Sequence, residues 1–526
     1  HLDILDQIQQ LLDARGILPP GDLDKILAGL EGILADIESG ALEIDMTGAT
    51  AGTPYVDIDG ELKSLSKVNV NLTGVGSLAP GEYVLVQAAG MGLTADDLVS
   101  TFDTEAPEGM EYVVEIVGNN LVFRSAFLSD WVWEGTTDGE TNVWADNADG
   151  WKADGDGLTP NGQDVYFTNV GAGEVVVSGV VTPANVNITG GEYTFTAADA
   201  DSGIKLGTDG VLSISAGVVV NMAMDNAELG GSTVLGGKLV LQSDDALGNT
   251  ELKFNGGTLV YDTVTDAQDN KTHISTDLSD QASLADDYTG PVKIEVTDAE
   301  NSVTWGTNAA TSDDNSGVLA ALNSGIEKTG EGALTLQVAH PNAADGVAEY
   351  AGTIDVQEGT LTINGVKKYG SNNGVKYSGA VSVAGGTELH LDADIQGNLN
   401  VIDLAGAISG EGKVSFGDAG RNYRISGDNS GFAGTLQLGA NVGTTSFADS
   451  ASAGGVDTEL ELNGAKFTVE GAGDKTIVSK LIVTDEKTST LTRGNNTFFT
   501  GSVTGSGTFR VAGDIRAALR GDLSTF

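Results

Sequence analysis

Cysteine is absent from the 526 residues, proline is held to 9 and histidine to 4. Without thiols there are no disulfide frameworks, no cysteine nucleophiles and no structural zinc sites with thiolate ligands. Positive charge is scarce: 26 Lys and Arg stand against 75 Asp and Glu, a formal net charge of −49 at pH 7. A nucleic-acid binder needs a basic face to neutralise phosphates, so this average field excludes that class. Aromatic residues are 6% of the chain, which argues for many thin cores rather than one thick one. No apolar run approaches the ~20 residues that a spanning helix needs. Glycine is the abundant residue, with 74 copies, about twice its usual share. The apolar 40% falls into alternating runs, a pattern that disordered chains lack.

Position 1 is His, and no charged-then-apolar signal segment follows it. The chain therefore reads as a processed or subcloned piece of something longer, with export inferred from composition alone.

The first 40 residues differ from the rest. Leu2, Leu5, Ile8 and Leu12, then Leu23, Ile26, Leu27, Leu30, Leu34 and Ile37, recur at three- and four-residue spacing. That stripe predicts two amphipathic helices, broken by Gly16-Ile17-Leu18-Pro19-Pro20-Gly21, with Asp22 placed to cap the second. The expectation for 1–40 is a helical hairpin that covers an end of the β structure. From Ala41 the apolar period drops from 3.6 to 2: Leu42, Ile44 and Met46, Val68 and Val70, Leu121 and Phe123 alternate with polar residues between Gly, Asn and Asp turns. Residues 41–128 read as one compact β unit.

From residue 129 onward the chain repeats itself. Gly330-Glu331-Gly332 precedes Leu334, Leu336 and Val338, then Tyr350-Ala351-Gly352-Thr353 and Gly359-Thr360-Leu361. The same order returns at Gly410-Glu411-Gly412 with Val414 and Phe416, then Phe432-Ala433-Gly434-Thr435, and a third copy opens at Gly505-Ser506-Gly507. A short strand with one apolar face cannot bury that face alone, so such units stack on one another. Coils of about 20–25 residues, rising ~4.8 Å each, are the expectation for 129–526, with the last copy stopping mid-repeat.

The segment Gly325-Ile326-Glu327-Lys328-Thr329-Gly330-Glu331-Gly332-Ala333-Leu334-Thr335-Leu336 resembles the autotransporter-associated β-strand repeat of bacterial surface proteins. Trp131-Val132-Trp133-Glu134-Gly135, Trp144, Trp151 and the run Pro160–Phe167 resemble the opening of such passenger modules. Residues 42–123, with Pro80-Gly81-Glu82-Tyr83, resemble the β unit that closes one of these stacks. The resemblance implies an all-β fold, a right-handed parallel β-helix exported to the cell surface of a Gram-negative bacterium. No C-terminal translocator barrel accompanies the repeats here. A closing unit followed by an opening unit suggests a cut from a longer tandem protein.

Chemistry is sparse. His1, His273, His340 and His390 lack metal-ligand spacing, and no nucleophile elbow or phosphate loop occurs. The acidic loop Asp146–Asp156, with Asp149 and Asp154, ends like a calcium loop but has Lys152 at a ligand position and no closing Glu, so calcium there is a weak alternative to a solvated loop. Trp131, Trp133, Trp144 and Trp151 crowd 21 positions and could stack on sugar rings; the competing reading is a cap over the first apolar face of the stack. Arg520-Gly521-Asp522 has the form of an integrin-recognition tripeptide. It also aligns with the turn Ser426-Gly427-Asp428 of the preceding copy, which makes it a turn of the repeat. The expectation is a non-enzymatic, cofactor-free adhesin, spacer or surface-assembly component. Its partner would be an unidentified surface or host ligand, a glycan among the candidates, or another copy of itself. The alternative is a carbohydrate-binding or glycan-active β-helix.

Overall fold

The computed structural model describes residues 41–526 except 50–53, 63–66, 79–80, 95–96, 105, 107–109, 118, 128–130, 136–141, 146–149, 153–159, 267, 307–315, 340–346, 367–373, 394–400, 418–421, 441–442, 495 and 514. The helical hairpin expected over 1–40 lies outside the described residues. The chain is nearly all β and divides into two units, His1–Asp130 and Trp131–Phe526.

In the first unit Ala41–Asp45, Val68–Thr73 and Leu98–Phe102 form a parallel sheet in that order. A second sheet has the order Val56–Leu62, Gly81–Met91, Asn120–Phe127, Met110–Val117; its first pair is parallel and the others antiparallel. Two-residue alternation sends Leu42, Ile44, Val70, Leu72, Leu85, Leu121 and Phe123 into one core and leaves Glu43 and Asp45 exposed.

The second unit consists largely of long parallel sheets. One of eleven strands runs from Val143–Trp144 to Ile408–Gly410, and one of nine from Ser302–Trp305 to Val503–Thr504. From Gly325 the chain visits three sheets in fixed order: Gly325–Thr329, Ala333–Ala339, Val347–Tyr350, then Thr353–Val356, which pairs back on Gly325–Thr329. Along the nine-stranded sheet Ala333 lies opposite Thr360, Thr360 opposite Glu388, and Glu388 opposite Lys413. The long sequence repeat therefore spans three such returns.

Register explains the patterning. Leu334, Leu361, Leu389, Val414, Leu436, Leu460 and Leu481 fall on one inward column, and all are buried. Each contributes about 1.5–3 kcal/mol of transfer free energy, and a one-residue slip would turn the whole column to solvent. Outward columns pair opposite charges in the same register: Glu349 with Lys376 at 2.7 Å, Asp403 with Arg424 at 2.9 Å, Glu388 with Lys413 at 3.2 Å. At one corner Gly352, Gly379, Gly406 and Gly427 stack so closely that a Cβ on each of the last three would land on the carbonyl oxygen of the glycine before it. The corner is built on the missing side chain.

One element departs from the period-2 reading. Ser316–Ser324 is an α-helix whose Val318, Ala321 and Leu322 are buried in the core of the unit. Its apolar residues recur at three- and four-residue spacing over barely two turns, too short a stretch to stand out among alternating strands.

Candidate functional site

The four clustered tryptophans lie inside the molecule. Trp133 and Trp144 are fully buried, while Trp131 and Trp151 are 6% and 7% exposed. Trp151 meets Trp133 edge to face at 5.0 Å and Trp144 at 5.6 Å, and Phe167 joins the two to Phe195. Trp151–Lys152 pairs antiparallel with Val132–Trp133 at the end of an otherwise parallel eight-stranded sheet. A reversed strand of two residues leaves little edge for another strand to extend. Gly150 fits beneath it because a Cβ there would stand 2.7 Å from the Trp133 ring. The indoles, for which a cap and a sugar-stacking surface are the two readings, have their rings packed on one another. The buried indole N–H groups of Trp133, Trp144 and Trp151 have no acceptor among the described residues.

A polar group that the sequence reading passed over sits on the outer face of the nine-stranded sheet. Glu388 and His390 alternate along Glu388–Ala393, and Lys413 and Ser415 lie directly opposite them on Lys413–Phe416. Ser415 Oγ donates to Glu388 Oε1, and His390 Nδ1 is 2.7 Å from the same Oγ. Lys413 Nζ is 3.2 Å from Glu388. The single hydroxyl proton of Ser415 goes to the carboxylate, so Nδ1 donates to it in turn. A nucleophilic triad needs the imidazole between serine and carboxylate, accepting the hydroxyl proton. Here serine holds the middle place and is 3% exposed, so the arrangement ties two strands together. Residue spacing of two plus the ladder register is the signal that locates it. His273 is elsewhere, its Nδ1 2.9 Å from Thr263 Oγ1.

Lys328, in the first strand of the repeat, is fully buried. It occupies an inward position between Ile294 and Val356 on neighbouring strands. Its Nζ donates to the carbonyl oxygens of Thr329 at 2.7 Å, Gly330 at 2.6 Å and Glu358 at 3.2 Å. Burial pushes the ammonium down to about 8, against the pull of the Glu358 and Glu295 carboxylates. The Glu358 side chain accepts from Gly330 N at 2.9 Å, closing the clamp. A second buried polar link joins Trp305 Nε1 to Tyr261 Oη at 2.7 Å, and Tyr261 passes its own proton to Thr276 O at 3.1 Å.

Arg520-Gly521-Asp522 adopts the turn expected of the repeat. Asp522 Oδ1 accepts from Ser524 N at 2.9 Å, as Asp428 Oδ1 accepts from Ser430 N at 3.1 Å. A Cβ on Gly521 would land on Gly501 O, as one on Gly427 would on Gly406 O. Arg520 lies over the Phe498 ring at 4.0 Å. Asp146, Asp149, Asp154 and Asp156 of the proposed calcium loop, and His340, lie outside the described residues. Among the described residues no group of three or more carboxylate or imidazole side chains is placed to hold a metal. In the first unit Ser100, Phe102, Asp103 and Tyr112 line a shallow open groove beside the edge strand Leu98–Phe102. No family model, curated protein or solved structure matches the chain.

Proposed function

We propose that residues 131–526 form a right-handed parallel β-helix and that the chain serves, without catalysis, as an adhesin, spacer or assembly component at a Gram-negative cell surface. The observation that carries the reading is one apolar core running from Trp131 to Val503 through successive in-register returns of the chain. Parallel crossovers of this kind are right-handed in about 98% of cases. Such a stack invests its residues in length and outer face: the eleven strands of one sheet alone span about 50 Å at ~4.8 Å spacing. The acidic surface keeps a repetitive β chain soluble and its edges apart. The repeat residues quoted above, in their resemblance to passenger modules, support export and display.

Two measurements test it. Small-angle scattering of residues 131–526, which form a compact unit of their own, should give a cross-section of constant radius along a rod; a spherical profile would sink the β-helix. Labelled protein should bind a cell surface or a glycan panel while leaving glycans and peptides intact. Turnover that vanishes when one acidic pair is changed to Asn or Gln would overturn the non-enzymatic reading.

A further inference from the structure

The groove of the first unit holds a polar residue where the register asks for an apolar one. Along the three-stranded sheet the inward columns run Leu42–Val70–Ser100 and Ile44–Leu72–Phe102. Leu42, Val70, Ile44 and Leu72 are buried, yet Ser100 is exposed and Phe102 half-buried. Core packing gives no reason for a serine in such a column. The groove gives one: Ser100 lines it together with Thr101, Phe102, Asp103, Thr104 and Tyr112.

That lining has two chemistries. Phe102 meets Tyr112 edge to face at 5.4 Å, and both rings rest on the fully buried Phe123, at 5.8 Å and 5.4 Å. Asp103 is anchored beside them: its backbone N–H donates to Leu72 O at 3.0 Å, and its Oδ2 accepts from Gly74 N at 2.7 Å. Its Oδ1 is left for a ligand. Burial, with the Asp103 carboxylate nearby, pushes the Tyr112 hydroxyl up from its ordinary value, so it stays a neutral donor. Ser100, Thr101 and Thr104 add hydroxyls, and Asp103 is the one charged side chain in the lining among the described residues. The space of about 450 Å³ lies within the ~300–1,000 Å³ of small-ligand sites.

A sugar ring matches both sides at once, with an apolar C–H face for the aromatic rings and a rim of hydroxyls for the carboxylate. An anionic sugar is turned away by Asp103 and by the net charge of −49. We propose that this groove binds a neutral hexose, its C–H face on Phe102 and Tyr112 and its hydroxyls on Asp103 and Ser100. The site deepens the adhesin reading and rests on it for its purpose, but not on the β-helix. A chain without sugar binding would still be a spacer or an assembly component.

Saturation-transfer difference NMR on the full chain tests it. The neutral probes are the methyl glycosides of glucose, galactose and mannose; glucuronic acid and choline are the charged ones. At least one neutral probe should take up saturation on its ring C–H protons, and high salt should not abolish the signal, because a neutral ligand gains nothing from the net charge. Two variants at exposed positions, each with unchanged circular dichroism, locate the site. Asp103→Asn should weaken binding about tenfold, the contribution of one charge-assisted hydrogen bond. Ser100→Leu, which supplies the aliphatic residue of its column, should weaken it at least as much without lowering Tm. Silence from every neutral probe, a signal from choline or glucuronic acid alone, or sugar binding that both variants keep would each overturn the proposal. None of those outcomes touches the rod-like scattering expected of residues 131–526.

Discussion

Lys328 shows what a single charged residue costs and supplies inside this stack. Its ammonium feeds three carbonyl oxygens, that of Gly330 in a fully buried bond and those of Thr329 and Glu358 in partly buried ones, so Lys328→Met, close in shape, should leave those acceptors without their donor and destabilise the fold by about 2–4 kcal/mol. Urea unfolding of the two proteins measures the difference. The pH dependence has a defined sign. The native value of about 8 lies below the ordinary 10.5 of an unfolded chain, so between these values the unfolded state binds more protons and stability rises with pH. The burial penalty is complete below about 8 and gone above the ordinary range. A urea midpoint that climbs from pH 8 to pH 10 in the wild type but not in the Lys328→Met variant is the expected result. Parallel curves would mean that the three carbonyls keep the amine fully charged. Sequence alone could not have drawn attention to this residue, because a lysine in a strand reads as solvated unless the register puts it between Ile294 and Val356.

At the scale of the strand and the corner, much of the architecture was legible. Alternation marked the strands, and the Gly-x-Gly corners marked the repeat, because both are local consequences of a face that must be buried and a turn that must be tight. Contacts between returns were not legible, since they depend on loop lengths that shift the partner by several residues from one return to the next. Glu388, His390, Lys413 and Ser415 meet only once Glu388 is known to face Lys413. The tryptophans show the same limit: their spacing fits both a cap and a sugar platform, and no local pattern foretells their 0–7% exposure. The glycine column gives a test at this scale. Gly406→Ala should cost about 2–4 kcal/mol, because its Cβ would strike Gly379 O and the stack must part to admit it. Gly431, with nothing within 4 Å of its would-be Cβ, should accept Ala within about 0.5 kcal/mol. Equal effects in thermal unfolding would show that the corner relaxes freely.

For the whole molecule, charge balance decides how stability answers to salt and acid. A formal −49 on 526 residues repels itself at neutral pH, and the in-register ion pairs are mostly solvent-exposed and contribute little each. Repulsion should therefore outweigh attraction: at pH 7, raising monovalent salt from about 0.01 M to about 0.3 M should raise Tm by several degrees, as the Debye length falls from about 30 Å to below 8 Å. Acidification first relieves the same repulsion, so stability should increase from pH 8 towards pH 5. It then meets an opposing effect. Side-chain hydrogen bonds from Thr47, Asn270, Ser430 and Ser506, helped by backbone N–H groups, hold Asp45, Asp266, Asp428 and Asp485 below the usual carboxylate range. A group whose native value is depressed gives stability that is present above the unfolded value, about 3.9, and is lost as pH falls through the native one. The curve of Tm against pH should accordingly peak on the acid side of neutrality and fall below about pH 4, close to the isoelectric point near 4.1, where solubility should also be least. Calorimetry across this range checks the shape. A Tm that drops on adding salt at pH 7 would show instead that the outward columns of paired charges hold the stack together more strongly than its net charge pushes it apart.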